Sequence, residues 1–153
     1  MTYYRRHFIC KTLIGSLVLA MMAAGMSGCG KQGPKMMPIS GSVSYRGKPL
    51  TFGIVTFQPE CGDCSEGVIQ PDGTFRMAMR GKGDGAVVGK NSVSISCFEG
   101  QNPAVKAERD EATGFVIMGK ELIPSKYFSD ETSGITIDVR PDKNEPVVLN
   151  LTD

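Results

Sequence analysis

The chain has 153 residues, of which 41% are hydrophobic and 22% charged, and its formal net charge is +1. This length suits one domain, or one domain preceded by a leader. The near-neutral charge excludes a strongly basic nucleic-acid-binding protein and an acidic solvating tail. The 19 glycines and 9 prolines are many for this length, which indicates a chain with frequent turns.

Residues 1–28 have the pattern of a leader that is separate from the fold. Arg5, Arg6 and Lys11 place positive charge ahead of an uncharged apolar run at residues 12–26. The run is too short to span a bilayer comfortably, which takes ~20 apolar residues. Charge, apolar run and small residues in this order predict a secretory signal peptide.

The leader ends in Met-Ser-Gly-Cys at residues 26–29. This segment resembles the lipobox of bacterial lipoproteins, in which the cysteine is lipidated and becomes the first mature residue. The resemblance implies a membrane anchor on Cys29, since two or three acyl chains hold a domain stably on a bilayer. Gly30, and not aspartate, follows the cysteine, which implies sorting to the outer membrane. An ordinary signal peptide cut near Ala24 stays open as the alternative.

The charged segment also resembles a twin-arginine export signal. Two arginines at positions 5 and 6 precede Phe8 and Lys11. The general secretory route and the twin-arginine route both remain open. The second would carry the domain across the membrane already folded.

Cleavage before Cys29 would remove His7, the only histidine of the chain. Residues 29–153 carry 14 basic and 16 acidic side chains, so their net charge is −2. Without histidine they hold no Ser-His-Asp triad and no Cys-His pair, and no histidine-containing zinc site. We therefore expect no enzymatic activity, no cofactor and no metal.

Residues 29–38 are predicted to form a flexible tether, and residues 39–153 a single β-sandwich domain. From Ile39 onward, apolar and polar residues alternate in short segments broken by Gly, Pro and Asp, which is typical of an all-β sandwich or barrel. Six strands are predicted, with a seventh near residues 67–70. Their inward-facing residues are Ile39, Val43 and Tyr45; Val55 and Phe57; Phe75, Met77 and Met79; Val93, Ile95 and Cys97; Ile135, Ile137 and Val139; and Val147, Leu149 and Leu151. Residues 104–112 are expected to form one or two helical turns.

Several short segments resemble the carboxypeptidase regulatory-like domain: Ser-Val-Ser-Tyr-Arg-Gly-Lys-Pro-Leu at 42–50, Val-Thr-Phe at 55–57 and Asp-Gly-Thr-Phe at 72–75. Residues 122–139, which begin Leu-Ile-Pro-Ser-Lys-Tyr, resemble small bacterial lipoproteins built on this domain. The resemblance covers about residues 39–151. It implies a seven-stranded transthyretin-like (prealbumin-like, Ig-like) β-sandwich without catalytic activity. The chain departs from the pattern in lacking an aromatic residue near Asn91.

Cys61 and Cys64 are a second departure from that pattern, in the loop after Phe57. A structural disulfide between them is the favoured prediction, because exported proteins form disulfides in an oxidising compartment. A redox dithiol usually opens a helix in a βαβ unit, whereas here a strand precedes the motif and Ser-Glu-Gly follows it. A metal site needs four ligands, and the two cysteines with Cys97 and a carboxylate are a weak set. A pair of reduced, idle thiols is the remaining alternative.

Cys97 is in phase with Val93 and Ile95, so we expect it to face the core as a small hydrophobe. The resemblance implies that the strand at Ile54 lies antiparallel beside the strand at Val93. Cys61 would then lie near the opposite end of this pair from Cys97, which disfavours a bridge between them.

Two weaker candidates lie near the end of the chain. Asp142, Asn144 and Glu145 are oxygen ligands suited to calcium, but the spacing and glycine of an EF-hand are missing. Lys126 and Tyr127 could contact a ligand, although packing of Tyr127 against the edge of the sandwich is the favoured interpretation.

Together these features predict a lipid-anchored, extracytoplasmic β-sandwich of the cell envelope with a binding or structural role. Its expected partners are the membrane, through the lipid on Cys29, and an envelope protein or glycan, with no nucleic acid. The alternative from another class is a thiol-disulfide redox protein that uses Cys61 and Cys64. An accessory subunit of a larger secreted system is a third hypothesis.

Overall fold

The structure, a computed structural model, describes residues 33–153, which form β-strands and two single 3-10 turns, Glu99–Gln101 and Ser125–Phe128. The strands are β1 (Met36–Met37), β2 (Ser40–Tyr45), β3 (Lys48–Pro49), β4 (Ile54–Pro59), β5 (Ser65–Val68), β6 (Thr74–Arg76), β7 (Ala78–Met79), β8 (Gly83–Asp84), β9 (Ala86–Val87), β10 (Gly89–Ser96), β11 (Ile135–Val139) and β12 (Val147–Leu151). The predicted all-β class is confirmed. Within residues 33–153, no helix is long and apolar enough to cross a membrane.

Three sheets organise these strands. The largest has the order β11-β10-β4-β5-β7-β8, and all its neighbours are antiparallel. In the second sheet, β2 pairs in parallel with β12. On its other side, the first half of β2 pairs antiparallel with β6 and its last two residues pair antiparallel with β3. β1 and β9 form a separate two-stranded ribbon.

The alternation of apolar residues becomes the buried face of the largest sheet. Val55 and Phe57 in β4 are fully buried, whereas Ile54, Thr56 and Gln58, which alternate with them, are half-buried. β10 runs antiparallel beside β4 and sets Val93 opposite Phe57 and Ile95 opposite Val55. Inward residues thus meet in cross-strand pairs, the unit that stabilises a sheet. The antiparallel neighbours implied by the family resemblance are confirmed here.

The two larger sheets share one hydrophobic core in a sandwich-like arrangement. Phe57 in β4 packs edge-on against Phe75 in β6, with ring centroids 6.5 Å apart. Val43 of β2 and Leu149 of β12 belong to the same buried cluster. Ile137 is only half-buried, because its strand β11 lies at the edge of the largest sheet. It still packs against the core, as its predicted inward position requires.

The ordered domain begins earlier than expected. Met36 pairs with Val87 and Met37 with Ala86 in the β1–β9 ribbon. The backbone N–H of Val88 also donates to the carbonyl of Lys35, at 2.9 Å. The last residues of the segment 29–38 are therefore part of the fold, and the domain boundary at Ile39 is corrected to a position before β1.

The helical turns expected at residues 104–112 are wrong. Asn102 accepts a hydrogen bond from the backbone N–H of Ala104, and Asp110 accepts bonds from Ala112 and Thr113. Asn and Asp side chains compete with helix in this way, by bonding to nearby backbone groups. The segment forms turns and one isolated bridge, between Arg109 and Val116.

Candidate functional site

The Cys61–Cys64 loop joins β4 to β5. Cys61 is exposed, Cys64 is half-buried, and both are free cysteines in this structure. The predicted disulfide is therefore not seen, and the pairing stays a prediction. Ser65, the first residue of β5, follows Cys64 directly. An activated dithiol usually lies at the N-terminus of a helix, which lowers the pKa of a thiol. Here a strand follows the motif instead.

The Cys61–Cys64 loop is tied to the β7–β8 turn by one ion pair. Lys82 Nζ lies 2.7 Å from Asp63 Oδ2, and this hydrogen bond lowers the pKa of the Asp63 carboxyl. Both side chains are largely exposed, so the pair contributes little stability. Beside it, a shallow cavity of about 300 Å³ is lined by Cys64, Met79 and Arg80 among others.

Cys97 is buried, as predicted. It follows the last residue of β10 and retains 2% of its accessible surface. Its Sγ–H donates to the carbonyl of Phe52 at 3.4 Å. Burial raises the pKa of the thiol to about 11, so the proton stays in place at neutral pH. The β4–β10 register pairs Asn91 with Pro59 and Ser96 with Ile54, which places Cys61 and Cys97 at opposite ends of the pair.

A cleft of about 760 Å³ lies where strands of the two larger sheets meet. It forms because the chain changes sheet at Met77. Before this residue, β6 pairs with β2, and after it, β7 pairs with β5. Serine hydroxyls from β2, Thr74, the Gln70 amide, the Glu66 carboxylate and the Arg76 guanidinium line it. The cleft therefore offers hydrogen-bond donors, acceptors and both signs of charge.

Glu66 and Arg76 are the charged groups of the cleft. Both are exposed, and neither takes part in the ion pairs found within residues 33–153. They are available to a polar ligand. The inward positions predicted for Phe75 and Met77 leave Arg76 on the outer face. The cleft itself was not predicted, because alternation does not reveal that one strand passes from one sheet to the other.

Tyr127 anchors the 3-10 turn at residues 125–128 to Thr152, the residue that follows β12. Its hydroxyl donates to the Thr152 carbonyl at 2.9 Å and accepts from the Thr152 N–H at 3.0 Å. Lys126 Nζ donates to the backbone oxygen of Asp153 at 2.8 Å. The expected packing of Tyr127 at the sandwich edge is confirmed, and both residues are engaged within the chain.

Asp153 is held by a second group of side chains. Arg46 Nε donates to its Oδ2 at 2.9 Å, and the Tyr45 hydroxyl donates to its Oδ1 at 2.6 Å. The hydrogen bond from Arg46 lowers the pKa of the Asp153 carboxyl, and the bond to Asp153 raises the pKa of Tyr45. These contacts fasten the end of β12 to the β2–β3 turn.

The calcium candidates do not converge. The Asn144 side chain bonds instead to the backbone N–H and carbonyl of Arg140, and Glu145 pairs with Lys143 at 3.3 Å. Across residues 33–153 there is no group of three or more His, Cys, Asp or Glu side chains placed to hold a metal ion.

The leader at residues 1–28 and Cys29 lie outside the described residues. Comparisons with protein-family models, with curated proteins and with solved structures find no match.

Proposed function

We propose that this chain is a lipid-anchored domain of the cell envelope with a non-catalytic binding or structural role. The observation that carries the proposal is the leader, in which positive charge, an uncharged apolar run and Met-Ser-Gly-Cys at 26–29 follow in order. Six residues separate Cys29 from β1. The seven residue steps from Cys29 to Met36 reach at most ~25 Å, so an acylated Cys29 would keep the domain near the membrane surface.

The fold we propose for the domain is the seven-stranded transthyretin-like sandwich. Counting β6 and β7 as one strand that passes between sheets, seven segments have four or more residues. They are β2, β4, β5, β6–β7, β10, β11 and β12. The remaining strands have two residues each, as expected of turns and edges. This count and the antiparallel β4–β10 pair support the proposal.

The partner we propose is an envelope protein or a glycan. The cleft with Glu66, Arg76 and the serine hydroxyls supports a binding role, because hydroxyl, amide and charged groups recognise polar ligands through hydrogen bonds. Its charged groups have no ion-pair partner among the described residues.

Mass spectrometry of the protein isolated from membranes tests the anchor. We expect an N-terminal peptide that begins at Cys29 and carries added acyl mass. Cys29→Ala should abolish both the acyl mass and the membrane association. Cys10→Ala, which alters the cysteine inside the leader, is the matched control and should leave both unchanged. A mature terminus elsewhere without lipid would refute the proposal.

A thiol-disulfide redox role remains the second candidate, and the exposure of Cys61 favours it. In that role the Cys61 thiolate would attack a substrate disulfide, and Cys64 would resolve the mixed disulfide, transferring two electrons to the substrate. An insulin-reduction assay separates the two candidates. Turnover that is lost in Cys61→Ser would replace the binding-module proposal with the redox one.

A further inference from the structure

One end of the sandwich gathers the segment by which the chain enters the fold and three loops. In the largest sheet, Pro59 at the end of β4 pairs with Asn91, and Val139 at the end of β11 pairs with Gly89. The end of β4, the start of β10 and the end of β11 therefore lie together. The name Lys35 end is used for the segment 34–35 and the connecting segments 60–64, 80–82 and 140–146.

Short distances hold these segments around Lys35. Its carbonyl accepts the Val88 N–H at 2.9 Å, one residue before β10 begins. A Cβ added to Gly62 would lie 3.9 Å from Pro34 Cγ, and the ion pair described above joins the 60–64 loop to the β7–β8 turn. Backbone hydrogen bonds lower the pKa of the Asp142 carboxyl, and the charge of nearby Lys35 lowers it further. All three loops thus surround the point where the chain enters the fold.

The proposed anchor is separated from the Lys35 end by a short length of chain. The five residue steps from Cys29 to Pro34 reach at most ~18 Å. From the Lys35 end, the eight residues of β10 alone extend ~23 Å toward the opposite end of the sandwich. An acylated Cys29 would therefore bring lipid headgroups within reach of the Lys35 end. Chain length alone does not fix the tilt of the domain.

The two ends of the sandwich differ in charge. The segments of the Lys35 end carry five basic and four acidic side chains, for a net charge of +1. The segments at the opposite end carry five basic and nine acidic side chains, for a net charge of −4; they are 46–47, 50–53, 69–73, 97–134 and 152–153. An anionic lipid surface attracts Lys and Arg within a Debye length of ~8 Å and repels acidic groups. Charge therefore opposes a tilt that would bring the opposite end to the lipid.

Three cations of the Lys35 end are open to phosphate groups. Lys35, Arg80 and Arg140 are exposed and take part in none of the ion pairs found across residues 33–153. Guanidinium groups bind phosphate oxygens through paired hydrogen bonds. The large exposed hydrophobics of residues 33–153 all lie outside the segments of this end. The surface is thus suited to contact with headgroups and not to insertion among acyl chains.

We propose that the Lys35 end docks on anionic phospholipid headgroups of the membrane that holds the anchor, with Lys35, Arg80 and Arg140 facing the phosphates. The inference rests on the proposed function, because the lipid on Cys29 brings the bilayer to this end. Two copies of the chain would present the same positive surface to each other, which disfavours a second copy as the occupant. The acidic opposite end then faces away from the membrane.

Nuclear magnetic resonance of the acylated chain on lipid nanodiscs tests the proposal. The isotopically labelled protein is isolated from membranes and placed on nanodiscs of phosphatidylethanolamine and phosphatidylglycerol that contain a gadolinium-chelating lipid. Gadolinium broadens amide signals more strongly the closer they lie to the bilayer. We expect the signals of Gly62 and Gly81 to be lost, and those of Gly47 and Gly114 at the opposite end to be kept.

Charge reversal separates docking from simple nearness to the anchor. Arg80→Glu together with Arg140→Glu should restore the Gly62 signal, so that both ends lose the same fraction of their intensity. Lys48→Glu together with Lys106→Glu is the matched control, because it makes the same change of charge at exposed positions of the opposite end. It should keep the difference between the ends, and both variants should keep the circular dichroism spectrum of the parent. High salt should equalise the two ends in the parent chain as well.

Equal loss at both ends of the parent chain, greater loss at the opposite end, or a difference that survives charge reversal would overturn the proposal. The mass of the Cys29 peptide is measured in the same sample. An acylated chain without the difference would refute the docking surface and leave the anchor standing. An unacylated chain would refute the anchor, and it is then added to the same nanodiscs. Loss at Gly62 would uphold the docking surface without the anchor, and no loss would refute both.

Discussion

Asn91 stands where the resemblance described for the sequence led us to expect an aromatic residue, and its contacts give a local reason for the asparagine. It is buried at 1% exposure, and its Nδ2 donates to the carbonyls of Val87 at 2.9 Å and Gly89 at 2.8 Å. Those carbonyls lie where β9 turns into β10, and a buried carbonyl without a partner is costly. The aromatic residue expected near this position could not satisfy both carbonyls.

Phe57 is the residue for which truncation should cost most. It is fully buried and contacts Phe75 across the core. Phe57→Ala should lower the free energy of unfolding by ~3–5 kcal/mol, measured by urea denaturation. The control is Phe115→Ala, an exposed position, where the change should stay within ~0.5 kcal/mol. Equal effects of the two substitutions would show that the assignment of the core is wrong.

Cys97 should make stability depend on alkaline pH. Its pKa is about 11 in the folded protein, against an ordinary value of 9.0. Between these pH values the folded chain holds a proton that the unfolded chain has lost, so the free energy of unfolding falls as pH rises. The contribution is complete below pH 9 and is lost by about pH 11.

Denaturation curves at pH 8 to 11 measure this dependence. Cys97→Ala should have a shallower alkaline decline than the parent chain, because the titrating thiol is gone. Parallel declines in the two proteins would contradict the assignment.

At the scale of elements, Gly41 permits the parallel pairing of β2 with β12. A Cβ at this position would clash with the Val147 carbonyl and lie 2.7 Å from Phe75 Cζ. Gly41→Ala should therefore lower the free energy of unfolding by ~1–3 kcal/mol. Gly33→Ala is the control, since a Cβ there meets nothing within 4 Å. Thermal unfolding of both variants distinguishes a steric effect from a general effect of replacing glycine.

The Cys61–Cys64 loop is predicted to be closed by a disulfide in the exported protein. Non-reducing peptide mapping of the exported protein should find Cys61 linked to Cys64, with Cys97 unmodified. Because the ring is small, its loss should cost less than the ~2–4 kcal/mol of longer loops. The double change to Ser should lower Tm by only a few degrees. A Cys61–Cys97 link, or two thiols that stay reduced in the oxidising compartment, would contradict the disulfide.

The sequence predicted strands well where one face is buried. The run with Val55 and Phe57 alternates with period two, and this period alone assigns the inward face. The tight turn at Asp72 was equally predictable: Asp72 Oδ1 accepts the Thr74 N–H at 2.9 Å, and Gly73 has φ +84°. Both signals are local, so no knowledge of the partner strand is needed.

Features that depend on distant partners were not predictable. Alternation gave Met77 as inward but not the change of sheet at that residue, which creates the cleft. The charged residues at 104–112 suggested helical turns, whereas Asp110 and Asn102 bond to the local backbone instead. Met36 carried no strand signal, because its strand exists only through pairing with Val87.

At the scale of the whole molecule, the two larger sheets depend on different parts of the chain. The largest sheet is made by residues 54–139. The other sheet joins β2 and β3, near the start of the described residues, to β6 and to β12. Leu149 and Leu151 of β12 complete the core that Phe57 and Phe75 begin. The apolar face of each of these two sheets is covered by the other sheet.

The parallel β2–β12 pair has a consequence for when the domain can fold. Its register joins Val43 to Leu149, more than a hundred positions apart in the chain. Contacts of such long range slow folding, because a large loop must close before they form. A chain emerging from a ribosome or a translocation channel cannot close this core until β12 has emerged. We therefore expect the domain to stay open to chaperones and proteases during synthesis, and to fold in one step at the end.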